Sequence, residues 1–209
     1  MLSNNMFIVS PKTKLLSSRH TFEIRDENGQ VLGMAEQSTG FLAQLLGMIK
    51  GPPSTKIEFR SKADNALLFA VRRRGFLFKK VEAVDAAGEV VGRYKAKSFS
   101  LSGGFHLYDK NGKHIAEIRG KFLKSEYTVY APDGKTEMGK VSKKWGGIVK
   151  GLLSSSGTYG VQIAPQFADD NKMKMAILGA AIAIDCLMGK HGASKEKEGE
   201  AEGEGGGEE

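Results

Sequence analysis

The 209-residue chain is 40% hydrophobic, 26% charged and 8% aromatic, as expected of one globular domain. Its single cysteine, Cys186, excludes an internal disulfide framework or multi-cysteine zinc module and indicates a reducing compartment. Lys and Arg exceed Asp and Glu by seven, but residues 189–209 hold seven Glu and three Lys, so the body before them carries +11. The basic body predicts a polyanionic partner, either nucleic acid or an anionic membrane surface, and the Gly/Glu-rich end predicts a disordered acidic tail.

Strands dominate the predicted elements from the N-terminus onward. Turn signals flanked by alternating apolar residues, typical of β-hairpins, occur at residues 26–29, 85–88, 109–112 and 131–134. Other strand-like runs lie at residues 6–9, 55–59, 67–71, 77–84 and 159–163. About ten to twelve strands in one domain predict a barrel or a sandwich, because both arrangements avoid exposed sheet edges.

Two segments are predicted to be helical. Residues 41–50 form an apolar helix that either plugs one end of the barrel, which we favour, or dips into a bilayer interface. Residues 172–188 have no polar stripe, and the apolar run within them is too short to span a membrane. A helix that is apolar all round must be buried all round, which predicts a barrel with this helix in its lumen. The expected buried positions are Met175, Ile177, Leu178, Ala181, Ile182 and Ile184.

Two basic clusters are the strongest candidate binding sites. The first surrounds the apolar residues 76–78, and the second combines lysines with the only tryptophan. Cations next to large apolar side chains suit anionic lipid headgroups. The alternative is that the cations of the first cluster are solvated while its aromatic residues enter the core. The candidate headgroup ligands are Arg72, Arg73, Arg74, Lys79, Lys80, Lys143, Lys144 and Trp145.

Catalytic motifs are missing from the sequence. The four histidines are scattered, and no nucleophile elbow, zinc-protease pair, redox dithiol or phosphate loop is present, so we do not expect a hydrolase, kinase or redox enzyme. The sequence also contains no helix-turn-helix, zinc finger or aromatic RNA-binding motif, which leaves only weak, non-specific nucleic-acid binding. We expect no cofactor.

Three motifs resemble the phospholipid scramblase family. Residues 139–145 read GKVSKKW, residues 159–163 read YGVQI, and residues 172–185 read KMKMAILGAAIAID, in the order of the family pattern. The resemblance implies a tubby-like fold: a mainly β, closed antiparallel barrel of about twelve strands around a buried hydrophobic C-terminal helix. It also implies calcium-stimulated movement of phospholipids between leaflets. Related barrels bind phosphoinositide headgroups and have been linked to DNA.

The sequence departs from the family at its acidic and cysteine-rich segments. Residues 154–158, SSSGT, stand where calcium-responsive members carry acidic side chains, and hydroxyls alone do not hold calcium tightly. Asp169 and Asp170 match the remaining acidic positions, where they are either weak calcium ligands or a helix cap. The family's palmitoylated cysteine cluster is also missing, which argues against stable anchoring.

These observations predict one barrel domain over residues 1–188 and a disordered tail over residues 189–209. We expect a scramblase-family protein that binds anionic phospholipid surfaces, with lipid translocation implied by the resemblance. Because no secretory signal is visible, the expected location is cytoplasmic and peripheral, at the inner membrane surface. The alternative function is a soluble, non-enzymatic scaffold for protein or nucleic acid.

Overall fold

A computed structural model of the chain describes residues 1–12, 21–38, 55–74, 80–96, 104–121, 126–143 and 158–183. Twelve strands lie within these residues: β1 Met6–Lys12, β2 Thr21–Arg25, β3 Val31–Ser38, β4 Thr55–Ser61, β5 Leu67–Arg74, β6 Lys80–Asp85, β7 Val90–Ala96, β8 Gly104–Tyr108, β9 His114–Lys121, β10 Glu126–Tyr130, β11 Glu137–Ser142 and β12 Tyr159–Ile163. A short 3-10 helix, Pro165–Phe167, precedes helix α1, which occupies residues 171–183. The predicted helix at 41–50, Ile184 and the predicted tail lie outside the described residues.

The strands form a closed antiparallel barrel. Each strand pairs with its neighbours in sequence, and β1 closes the ring against β12 in a register that joins Met6 to Gln162 and Val9 to Tyr159. Closure leaves none of the twelve described strands with a free edge for pairing with other chains. The prediction of a mainly β closed barrel of about twelve strands is confirmed.

The five short hairpin connections have turns whose geometry follows from their sequence. Gly29, Gly88, Gly112 and Gly134 all have positive φ, which an L side chain adopts at a steric cost. One aspartate in each of these turns also accepts backbone hydrogen bonds. In the first turn, for example, Asp26 Oδ1 accepts the N–H groups of Asn28 and Gln30 at 2.9 and 2.8 Å.

Helix α1 fills the lumen. A Cβ added to Gly179 would lie 3.1 Å from Val71 Cγ2 of β5, and a Cβ added to Gly139 of β11 would lie 3.5 Å from Ile177 Cδ1. Because β5 and β11 lie on opposite walls of the ring, the helix that touches both lies between them. Ile177, Leu178, Ala181 and Ile182 are buried, while Met175 is partly buried against the core. The predicted buried C-terminal helix is therefore present.

Polar contacts fix the start and the depth of helix α1. Asp170 Oδ1 accepts the Met173 N–H at 2.9 Å, as an N-cap carboxylate does. Lys174 is 1% exposed, and its ammonium donates to the Leu2 carbonyl at 2.7 Å, which ties the N-terminal segment to the first turn of the helix. Deeper in the lumen, the Tyr94 hydroxyl donates to the Ala176 carbonyl, and burial raises the pKa of Tyr94.

Candidate functional site

The two ends of the barrel are built from different connections. One end, which we call the turn end, holds the five short turns, the N-terminal residues and the start of α1. The other end, the loop end, is where strand ends are joined by residues 13–20, 39–54, 75–79, 97–103, 122–125 and 144–157, all outside the described part of the chain. The order of the strands thus assigns every connection to one end.

Acidic and basic residues are distributed unevenly between these two ends. In the sequence, the connections of the turn end, together with residues 164–170, contain eight acidic and four basic residues. The six connections of the loop end contain eight Lys or Arg and no Asp or Glu, and 20 of their 54 residues are Phe, Trp, Leu, Ile, Val or Met. The loop end therefore combines positive charge with large apolar side chains, whereas the turn end is acidic.

The predicted basic clusters lie at the loop end. Arg72, Arg73 and Arg74 occupy the last residues of β5, and Arg74 pairs in register with Lys80 of β6. Lys143 directly follows β11 on the opposite wall of the barrel, so the two clusters share an end but do not adjoin. The side chains of Arg74 and Lys80, and all of Lys79, Lys144 and Trp145, lie outside the described part.

Arg72 is held by an ion pair that the sequence did not reveal. Glu82 of β6 lies between two arginines, with Arg72 Nη2 at 2.9 Å from Oε2 and Arg93 Nε at 2.9 Å from Oε1. Burial raises the pKa of Glu82, but hydrogen bonds from Arg93 and Arg72 outweigh burial and leave that pKa below its ordinary value. Arg72 is thus partly neutralised by a carboxylate, and the pair cross-links β5 to β6.

The same arrangement recurs around the outer wall. Glu23 is bound by Lys12 and Arg25, and Glu58 by Lys56 and Arg60. Hydrogen bonds from these cations lower the pKa of both carboxyl groups. Since each glutamate meets two cations, every such group keeps an excess positive charge on the wall.

Three cations near the loop end have no acidic partner among the described residues. Arg73 lies in register with Val81, which faces the core, and is half-buried. The Lys143 ammonium lies 4.7 Å from the centre of the Tyr159 ring, within cation–π range. Lys95 of β7 is exposed and lies opposite His106 of β8. Because no described carboxylate pairs with them, these three residues are the candidate contacts for an external anion.

Sequence reasoning identified Arg73 and Lys143 but missed Lys95. The available signal was strand alternation, because Tyr94 is an inward aromatic residue and its successor on a strand must point outward. The ion pair of Arg72 with Glu82 was missed as well, because it depends on the register of β5 against β6.

The weak calcium candidates lie at the turn end, away from the basic clusters. One carboxylate oxygen of Asp170 is committed to the helix cap, and Asp169 is exposed beside it. Within the described ranges, no group of three or more His, Cys, Asp or Glu side chains is arranged to hold a metal ion. The same ranges contain no helix that is long and apolar enough to cross a membrane.

In structural class, the protein is a closed barrel that is filled by its own C-terminal helix and has one cationic end. The chain belongs to the scramblase family, since the family model described as Scramblase matches residues 20–188. A stretch of 63 residues is 37% identical to phospholipid scramblase 2 of Bos taurus, covering 30% of this chain and 21% of that relative. No solved structure gives a significant match. The predicted family is thereby confirmed.

Proposed function

We propose that this chain binds anionic phospholipid surfaces through its loop end, as a peripheral protein at the inner membrane surface. The observation that carries this proposal is the division of charge, with eight cations, no acids and 20 large apolar residues in the loop-end connections. Basic residues attract anionic headgroups, and apolar and aromatic side chains enter the interface, so this combination suits a membrane better than it suits a soluble polyanion.

The expected strength of membrane binding can be estimated from the cations in the described part of the chain. Each Lys or Arg near an anionic surface contributes about 1 kcal/mol, so Arg73, Lys95 and Lys143 together contribute about 3 kcal/mol, or roughly a hundredfold in affinity. The acidic turn end is repelled by the same surface. Attraction at one end and repulsion at the other orient the barrel with its loop end toward the lipid.

Lipid translocation is the finer part of the proposal. The relative's name, phospholipid scramblase 2, favours this activity. Leu178 and Ala180 of α1 are fully buried against inward-facing strand residues, so the described lumen has no room for a lipid chain. We therefore assign any translocation step to the outer surface of the loop end.

Liposome flotation with matched charge variants tests the binding step. A loop-end variant, Arg73→Gln/Lys95→Gln/Lys143→Gln, and a turn-end variant, Lys62→Gln/Lys113→Gln/Lys135→Gln, remove the same number of charges. The turn-end lysines are all exposed. With vesicles of neutral lipid plus phosphatidylserine, we expect roughly hundredfold weaker binding for the loop-end variant and near wild-type binding for the turn-end variant.

Other outcomes distinguish the alternatives. Equal weakening in both variants would show an unoriented attraction of total charge and would refute binding through the loop end. Wild-type vesicle binding that does not change with phosphatidylserine content would favour the scaffold function. Competition by duplex DNA at equal charge would favour nucleic acid as the partner. Raising salt should weaken wild-type binding, because exposed charges are screened beyond about 8 Å at physiological ionic strength. Translocation is then measured separately, with fluorescent lipid in sealed vesicles.

A further inference from the structure

Two imidazole rings meet on the outer wall, between β8 and β9. His106 Nδ1 lies 3.2 Å from His114 Nε2, and the rings are edge-on, with centroids 5.1 Å apart and planes at 70°. A register shift between Leu107 and Tyr108 places His114 opposite Tyr108, diagonal to His106. Neither histidine is one of the cations of the proposed membrane contact, although Lys95 of that contact lies in register with His106.

The neighbouring residues hold both rings in place. His106 alternates with Phe105 and Leu107, whose side chains are buried in the core, so its own ring points outward. The Tyr108 ring lies 6.2 Å from His106 and 5.6 Å from His114, centre to centre, and both histidines are half-buried. The pair is therefore preorganised by packing on a closed sheet and not by a loop.

The spacing of the two nitrogens suits a shared metal ion. Two nitrogens bound to one tetrahedral zinc at about 2.0–2.1 Å lie about 3.3–3.4 Å apart, close to the distance found here. We propose that His106 and His114 form a two-histidine site for a divalent transition metal of the zinc, nickel and copper class. Neutral imidazole is a preferred ligand of these ions, whereas calcium and magnesium require oxygen ligands.

Metal binding requires a rearrangement of protons in the pair. Both facing nitrogens must be unprotonated to coordinate, so the hydrogen that one ring donates to the other moves to the far nitrogen of its own ring. Since no third metal-binding side chain joins the pair among the residues described, water completes the coordination. The ion is therefore exchangeable, and it clamps β8 to β9 beside the turn that joins them.

Zinc titration of the full chain, without a histidine tag and after treatment with EDTA, tests the site. Calorimetry and the ring signals of His106 and His114 in NMR spectra are the readouts. His106→Phe and His114→Phe keep an aromatic ring but remove the ligand, and each is expected to weaken zinc binding about tenfold or more. His20→Phe and His191→Phe, which alter the two other histidines of the chain, are matched controls expected to bind zinc as wild type does.

Each result decides the question. Saturable binding of one zinc that perturbs both rings, is lost in both variants and is not reproduced by calcium supports the site. Zinc binding that persists in His106→Phe and His114→Phe would place the metal elsewhere and overturn the proposal. Wild-type protein whose two ring signals do not respond to zinc would also overturn it, because the pair would then be a hydrogen bond only.

Discussion

The turn end and the loop end of the barrel are closed by the same twelve strands but differ in chemistry. At the turn end, connections of four to six residues contain their own hydrogen bonds. For example, hydrogen bonds from the Thr136 hydroxyl and two backbone N–H groups lower the pKa of Asp133 to about 2. At the loop end, connections of four to 16 residues carry cations and apolar side chains with no acids among them. The aspartates of the hairpin turns therefore stabilise the backbone of the turns, and we expect recognition at the opposite end.

The largest effect is expected from a substitution in helix α1, which lies between the two ends. Ala181→Asp places a charge at a position that is 1% exposed and surrounded by apolar side chains. An unpaired buried charge costs about 3–5 kcal/mol or more, comparable to the stability of a whole domain. We expect insoluble or unfolded protein, as measured by circular dichroism and thermal melting. Ala87→Asp, in an exposed turn, is the matched control and should melt like wild type; a folded Ala181→Asp protein would place α1 outside the barrel.

A smaller effect is expected from Glu82→Gln, which should lower stability but strengthen vesicle binding. Glu82→Gln removes the carboxylate that binds Arg72 and Arg93, so the free energy of unfolding should fall by about 1–2 kcal/mol. The same change releases positive charge near the loop end, so affinity for phosphatidylserine vesicles should rise. Urea unfolding and flotation measure the two quantities. Weaker vesicle binding by a folded variant would contradict the loop-end orientation.

The loss of stability at acidic pH should also depend on the Glu82 carboxylate. Because the pKa of Glu82 is lower in the folded state than its ordinary value of 4.5, its contribution to stability is fully present above that value. The contribution is lost as pH falls through the folded pKa. Stability measured by urea unfolding should therefore fall less between about pH 5 and pH 3 in Glu82→Gln than in wild type. An identical decrease in both proteins would show that the ion pair does not form in solution.

A third change tests the geometry of the turn end alone. Gly88 has φ of +84°, and a Cβ there would meet no atom within 4 Å, so Gly88→Ala isolates backbone strain from crowding. We expect a loss of about 1 kcal/mol in the free energy of unfolding, with vesicle binding unchanged. Gly88→Asn is the control, since Asn tolerates this conformation better. A drop in vesicle binding would couple the turn end to the membrane contact.

The smallest expected effect is the response to calcium. Asp170 is engaged in capping α1, and hydroxyl-bearing residues stand where related proteins carry acids, so millimolar calcium should leave the melting temperature nearly unshifted. Differential scanning calorimetry with and without calcium measures this. A calcium-specific rise that disappears in Asp169→Asn/Asp170→Asn would establish a calcium site at the turn end.

Local sequence patterns predicted the architecture because they were strong. The Asp-to-Gly turns, strand alternation and a helix without a polar face together left a helix-filled barrel as the consistent solution. Long-range order could not be predicted in this way. Whether Lys143 adjoins Arg73 depends on the closure of β1 against β12, and whether Arg72 is paired depends on the register of two strands. The histidine pair could not be predicted because a local register shift places His114 opposite Tyr108 and so diagonal to His106, two positions that are eight residues apart in the sequence.

The position of α1 after all twelve strands also governs how the protein is made. Every inward-facing strand residue emerges from the ribosome before residues 171–183, and β1 waits for β12 before the ring can close. At about 5–20 residues per second, an unfinished sheet with two open edges and an uncovered apolar face persists on the order of ten seconds. The barrel is therefore completed only after residues 171–183 have emerged, and chaperone protection of the nascent chain is most needed over that interval.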